Sequence, residues 1–194
     1  MSEHRTKFED DAELDSPSRA GLSRPRRPQA QRGHGPAPWF ENLGKRLVKS
    51  PKVYVRDTGL LHLLLGIPDL RALQSHPKLG ASWECFCIEQ LLARIGDRHA
   101  FFWATHGGAE LDLLLTLRGK RWGFEFKYQD APTMTRSMYV ALEDLKLTHL
   151  WVVYPGDSSY ALHRRADCVG LSDLPRITRA ITRDGAGRPT ARPP

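Results

Sequence analysis

Three acidic residues and one lysine stand where this sequence is otherwise apolar, and their types are those from which phosphate-cleaving sites are built. In the run Glu110 to Leu117, ELDLLLTL, Asp112 interrupts a series of leucines; in Arg121 to Tyr128, RWGFEFKY, Glu125 and Lys127 alternate with Phe124, Phe126 and Tyr128. Alternate residues of a strand share a face, so Glu125 and Lys127 point the same way. Glu84 lies in LGASWECFCIEQLLARI, within about 40° of Ile88, Leu91 and Ile95 on a helical wheel. A carboxylate turned toward a core is costly unless a cation or hydrogen-bond donors meet it. Glu89, about 140° round the same wheel, suits an exposed or structural role.

A turn centred on Gly119-Lys120 pairs Arg118 with Arg121, which sets Asp112 opposite Lys127 and Leu114 opposite Glu125. Asp112 and Glu125 are then diagonal neighbours, with α-carbons on the order of 7–8 Å apart. Two converging carboxylates raise one another's pKa unless a cation lies between them. Lys127 can be that cation, which makes the cluster an internal salt bridge on a sheet face. Alternatively Asp112, Glu125 and a backbone carbonyl near Phe126 offer hard oxygen ligands to Mg²⁺ or Mn²⁺, with Glu84 completing or supporting the set. Lys127 would then orient and help deprotonate an attacking water, or stabilise charge developing on a phosphate.

A helix is predicted over 79–95, stopped by Gly96, followed by strands over 100–103, 110–117 and 121–128. A second helix over 135–147 carries Met138, Leu142 and Leu145 at helical spacing, and a strand over 149–154 ends at Pro155-Gly156. The order implies an α/β core: helix, three-stranded antiparallel meander, helix, then a strand that the crossover returns in parallel. Upstream, an extended piece over 52–56 leads into a helix capped by Asp57 and closed by Gly66 before Pro68. Residues 39–78 thus form a helical lead-in and 79–175 the core. The Arg/Pro-rich stretch 1–38 and residues 176–194 have too few large apolar residues to repay ordering and are expected to be disordered tails.

The chain has 194 residues, a formal net charge of +7 and three cysteines. Most of the positive excess lies in the tails, since 40–174 holds 17 basic and 15 acidic residues. Charge alone is therefore weak support for nucleic-acid binding by the folded part, although Lys45, Arg46, Lys49, Lys52 and Arg56 are candidate phosphate contacts. The charged beginning MSEHRTKFEDD lacks the apolar run of a signal peptide, and no stretch is long enough to span a membrane. A cytoplasmic protein with no membrane partner is expected. Cys85, Cys87 and Cys168 match neither a disulfide framework nor a zinc knuckle and read as buried apolar residues. His76 and His106 read as surface residues, and Trp83, Phe86, Phe101, Phe102 and Trp151 as core.

The spacing Asp112, twelve residues, Glu125-Phe126-Lys127, preceded by a helix bearing Glu84, resembles the signature of the PD-(D/E)xK nuclease-like superfamily. Leu111 replaces the proline that nominally opens it. The wider text ENLGKRLVKSPKVYVRDTGLLHLLLGI, HPKLGASWE, FFWATHGGAELDLLL, GFEFK and YVALEDLKLTHLWVVYPG is similar to the uncharacterised C-terminal domain of prokaryotic AAA-type ATPases, over about residues 39–175. The resemblance implies a restriction-endonuclease-like core. It also implies catalytic roles for Glu84, Asp112, Glu125 and Lys127 in a metal-dependent phosphodiesterase acting on DNA. Its alternative is a non-catalytic module that binds nucleic acid or a protein such as a separate ATPase. The sequence has no G-x-x-x-x-G-K-[ST] loop, so no ATP binding or hydrolysis is expected of this chain.

Overall fold

The computed structural model describes residues 37–38 and 54–183, all within the compact unit Gly33–Pro194. The expected tail over 1–38, apart from 37–38, and the basic candidates Lys45, Arg46, Lys49 and Lys52 lie outside the described residues. Among the described residues, seven strands form one mixed sheet: β1 (Ala37–Pro38), β2 (Ala100–Ala104), β3 (Glu110–Leu117), β4 (Lys120–Phe126), β5 (His149–Tyr154), β6 (Tyr160–His163) and β7 (Ala166–Gly170). Their order across the sheet is β1-β2-β3-β4-β5-β7-β6. The β2-β3-β4 meander is antiparallel, β4, β5 and β7 run parallel, and β6 returns antiparallel on β7.

Helices cover both faces. On one, α3 (Leu79–Ile95) and α5 (Leu174–Arg183) bury Ile88, Leu91, Ile177 and Ile181 against Leu113, Leu115, Trp122, Phe124 and Trp151. On the other, α4 (Arg136–Asp144) buries Met138, Ala141 and Leu142 against Leu111, Leu114, Leu150 and Val152. Strand β5 is buried along its whole length, as a parallel strand covered on both faces must be. Gly123 lets the α4 side close down: a Cβ there would lie 2.7 Å from Leu147 Cδ1 and 2.9 Å from Leu150 Cδ1.

The lead-in comprises α1 (Thr58–Leu64) and α2 (Leu70–Gln74). Asp57 caps α1 by accepting from the Leu60 amide at 3.0 Å, and Gly66 takes the left-handed conformation after it. Leu63 and Leu64 are three-quarters exposed. Among the described residues, no helix is long and apolar enough to cross a membrane.

Three expectations need correction. The chain does not become disordered at 176: it continues as α5 to Arg183, because Leu174, Ile177 and Ile181 recur at helical spacing and bury against the sheet. The β3–β4 turn is Arg118-Gly119, with φ of 51° and 75°, closed by Leu117 opposite Lys120. Both central residues adopt positive φ, the handedness that suits a two-residue hairpin, and the register moves by two residues. Phe86, expected in the core, is exposed.

Candidate active site

Asp112 lies near the start of β3, Glu125 near the end of β4, and Lys127 one residue beyond it. The paired register ends at Leu113 opposite Phe124, so the next positions outward, Asp112 and Glu125, face each other directly rather than diagonally. A second irregularity shapes the same place. Between β2 and β3, Phe101 pairs with Leu114 but Trp103 with Leu111, so β3 carries one extra residue in the stretch containing Asp112. Such a bulge re-aims side chains. It also moves Leu111 from the face of Leu113 and Leu115 to that of Leu114, against simple alternation.

At this fork, side chains replace ladder bonds. The Phe126 amide donates to Asp112 Oδ2 at 3.0 Å, and the Asp112 amide donates to Glu125 Oε2 at 3.4 Å. Lys127 Nζ stands 2.7 Å from Glu125 Oε1, while its own amide donates to the Val153 carbonyl at 3.0 Å on β5. Asp112 is 8% exposed and Glu125 5%. Burial pushes the Glu125 carboxyl above the ordinary carboxylate range, against the opposing pull of Lys127. For Lys127, burial works to lower the pKa, but the charges of Glu125, Asp112 and Glu84 outweigh it and the ammonium is held above its usual value.

Glu84 reaches the cluster from α3. Its charge bears on Glu125 and Lys127, and its Oε1 accepts from the Tyr54 hydroxyl at 2.7 Å. All four expected residues thus share one electrostatic neighbourhood. Tyr54 was missed by sequence reasoning: it lay in a short extended piece with no spacing that ties it to the acids. Burial first, then Glu84, pushes its phenol far above the usual range. Arg56 is engaged by Glu89, 3.4 Å away. His106 is exposed, His76 Nδ1 accepts from the Lys78 amide at 3.1 Å, and the three cysteines are free and buried.

Among the described residues, no three or more His, Cys, Asp and Glu side chains gather so as to hold a metal ion. The donors that do converge, Asp112 and Glu125, are both hard carboxylate oxygens. They fit a cation that draws its remaining ligands from water or phosphate, as Mg²⁺ commonly does.

Residues 79–174 match the family described as Domain of unknown function (DUF4143). Residues 34–71 match a second family, likewise described as a domain of unknown function (DUF8612). Asp112, Glu125, Lys127 and Glu84 all fall in the DUF4143 match, and Tyr54 in the other. Two relatives, each named an uncharacterized protein, come from Mycobacterium bovis and Mycobacterium tuberculosis. Both are 53% identical over 125 residues, covering 64% of this chain and 28% of theirs. The chain therefore matches little more than a quarter of the length of these relatives. No solved structure matches.

Proposed function

We propose that the fork between β3 and β4 is the site of a phosphodiesterase acting on DNA, on a restriction-endonuclease-like core that runs on through α5. The observation that carries this reading is the acid-acid-lysine set itself. Asp112 and Glu125 stand on neighbouring strands where the ladder ends, and Lys127 lies 2.7 Å from Glu125. Asp112 and Glu125, supported by Glu84, would hold Mg²⁺ or Mn²⁺. A hard divalent cation there supplies Lewis acidity toward a phosphoryl oxygen and lowers the pKa of water.

The chain's own residues define the rest. Asp112 ties the Phe126 amide and so fixes the backbone between Glu125 and Lys127. Lys127, held protonated by its acidic neighbours, is better placed to stabilise charge on a phosphate oxygen and orient water than to take a proton. Burial of the carboxylates keeps water from screening these charges.

A second reading is favoured by one feature: Lys127 already neutralises Glu125, as a purely structural pair would. On that reading the domain binds nucleic acid or a protein, such as a separate ATPase, without chemistry. The deciding experiment is cleavage of linear DNA in Mg²⁺ or Mn²⁺ by the wild type, Glu125→Ala and Lys127→Ala. Cleavage abolished by either substitution is expected. Cleavage that survives both overturns the assignment, and salt-sensitive DNA binding with no cleavage and no metal requirement favours the second reading.

A further inference from the structure

We infer that Tyr54 is a positioning residue of this site, contributed by a strap that the chain winds across α3. Four contacts between the segment 54–62 and α3 follow the helix surface in order. With Ser82 as origin, Glu84 lies at about 200°, Cys85 at about 300° and Glu89 at about 340° on the wheel. Tyr54 Oη meets Glu84 at 2.7 Å, the Val55 backbone meets the Cys85 thiol, and Arg56 Nε meets Glu89 Oε2 at 3.4 Å. His62 Nε2 then shares a 2.6 Å hydrogen bond with Ser82 Oγ. The strap goes round the helix, and only its first contact lies on the side of the acids.

That first contact is the one with consequences for the cluster. Tyr54 is buried, so its hydroxyl is held by the core rather than by solvent, and Glu84 is fixed against a rigid donor. Glu84 in turn acts on Glu125 and Lys127. Tyr54 and Glu84 fall in the matches to two different families, so the strap segment completes a cluster whose acids and lysine all belong to the other match. The inference rests on reading that cluster as a functional site, and its test keeps the two apart.

Tyr54→Phe removes the hydroxyl and keeps the buried ring. His62→Ala removes a strap contact on the far side of α3 and serves as the structural control. In the full chain without metal, Tyr54→Phe should shift the side-chain NMR signals of Lys127, and His62→Ala should leave them in place. Unmoved Lys127 signals in Tyr54→Phe, or equal shifts in both variants, overturn the inference. In calorimetry with Mn²⁺ alone, Tyr54→Phe should bind about tenfold more weakly than the wild type, the usual scale for residues that orient ligands. His62→Ala should match the wild type. Equal affinity in all three proteins overturns the inference. Absence of Mn²⁺ binding by the wild type, with the Lys127 shift present, overturns the metal reading of the cluster and leaves the role of Tyr54 standing.

Discussion

Replacing Asp112 by alanine and by asparagine separates what this residue does for the fold from what it does for a site. In the native protein Oδ2 accepts the Phe126 amide at 3.0 Å in a place 8% exposed. Alanine leaves that amide buried without its acceptor. A hydrogen bond to a charged group contributes about 1.5–3 kcal/mol, and a stranded buried donor costs a similar amount. Asp112→Ala should therefore lose about 2–3 kcal/mol, or about 4–12 °C in Tm for a domain of this size. Asparagine keeps a carbonyl oxygen for the amide and withdraws a negative charge from beside Glu125, so Asp112→Asn should stay within about 1 kcal/mol of the wild type. Urea unfolding at neutral pH with chelator measures both. Binding of Mn²⁺ should be lost in both variants, because neither offers the carboxylate. Refutation would be an alanine variant within about 0.5 kcal/mol of the wild type, or an asparagine variant as unstable as the alanine one.

Other expectations follow from the same geometry. Burial raises the Glu125 pKa above its reference of 4.5, so the native state holds this proton more tightly than the unfolded chain. The contribution is then largest at low pH and is lost as pH rises from 4.5 through the raised value. Glu125→Gln should flatten that fall in urea midpoints measured across the window, and an unchanged slope would count against the burial argument. Gly123→Ala forces its Cβ into the tips of Leu147 and Leu150 and should cost about 1–2 kcal/mol; an unchanged midpoint would show that the α4 side is looser than described. Ending the chain after Pro175 removes Ile177 and Ile181, which are almost fully buried, at about 1.5–3 kcal/mol each. That approaches the whole stability of many domains. The truncated chain should lose its cooperative melt, and one that melts like the parent would refute the assignment of α5 to the core.

Periodicity located the elements from 79 to 154 because each carries its own signal. The helix ending at Gly96, the leucine strand at 110–117 and the buried strand at 149–154 occupy the expected residues. What followed was hidden for physical reasons. Strand β6 is four residues long and β7 is Ala-Asp-Cys-Val-Gly, too short and mixed to show alternation. Helix α5 is rich in Arg and Thr, so its three buried aliphatic positions were lost in a tail-like composition. The residues of the cluster were legible as polar interruptions of apolar strands and their convergence was expected, but their direct rather than diagonal pairing was not. It depends on Arg118 accepting positive φ and on a bulge opposite β2, both settled by pairing across strands. Tyr54 was least legible, since its contact spans 30 positions and leaves no local pattern.

The fork between β3 and β4 has a consequence for how the molecule reports on itself. An amide in a sheet ladder normally exchanges its proton with solvent when the neighbouring strand peels away. The Phe126 amide is held instead by a carboxylate, so its exchange follows the state of one side chain. Anything that draws the Asp112 oxygen away, whether a proton, a cation or a phosphate ester, frees that single amide while Leu113 and Phe124 beside it stay paired. Hydrogen exchange at Phe126 is therefore a native gauge of occupancy, readable before any substrate is known.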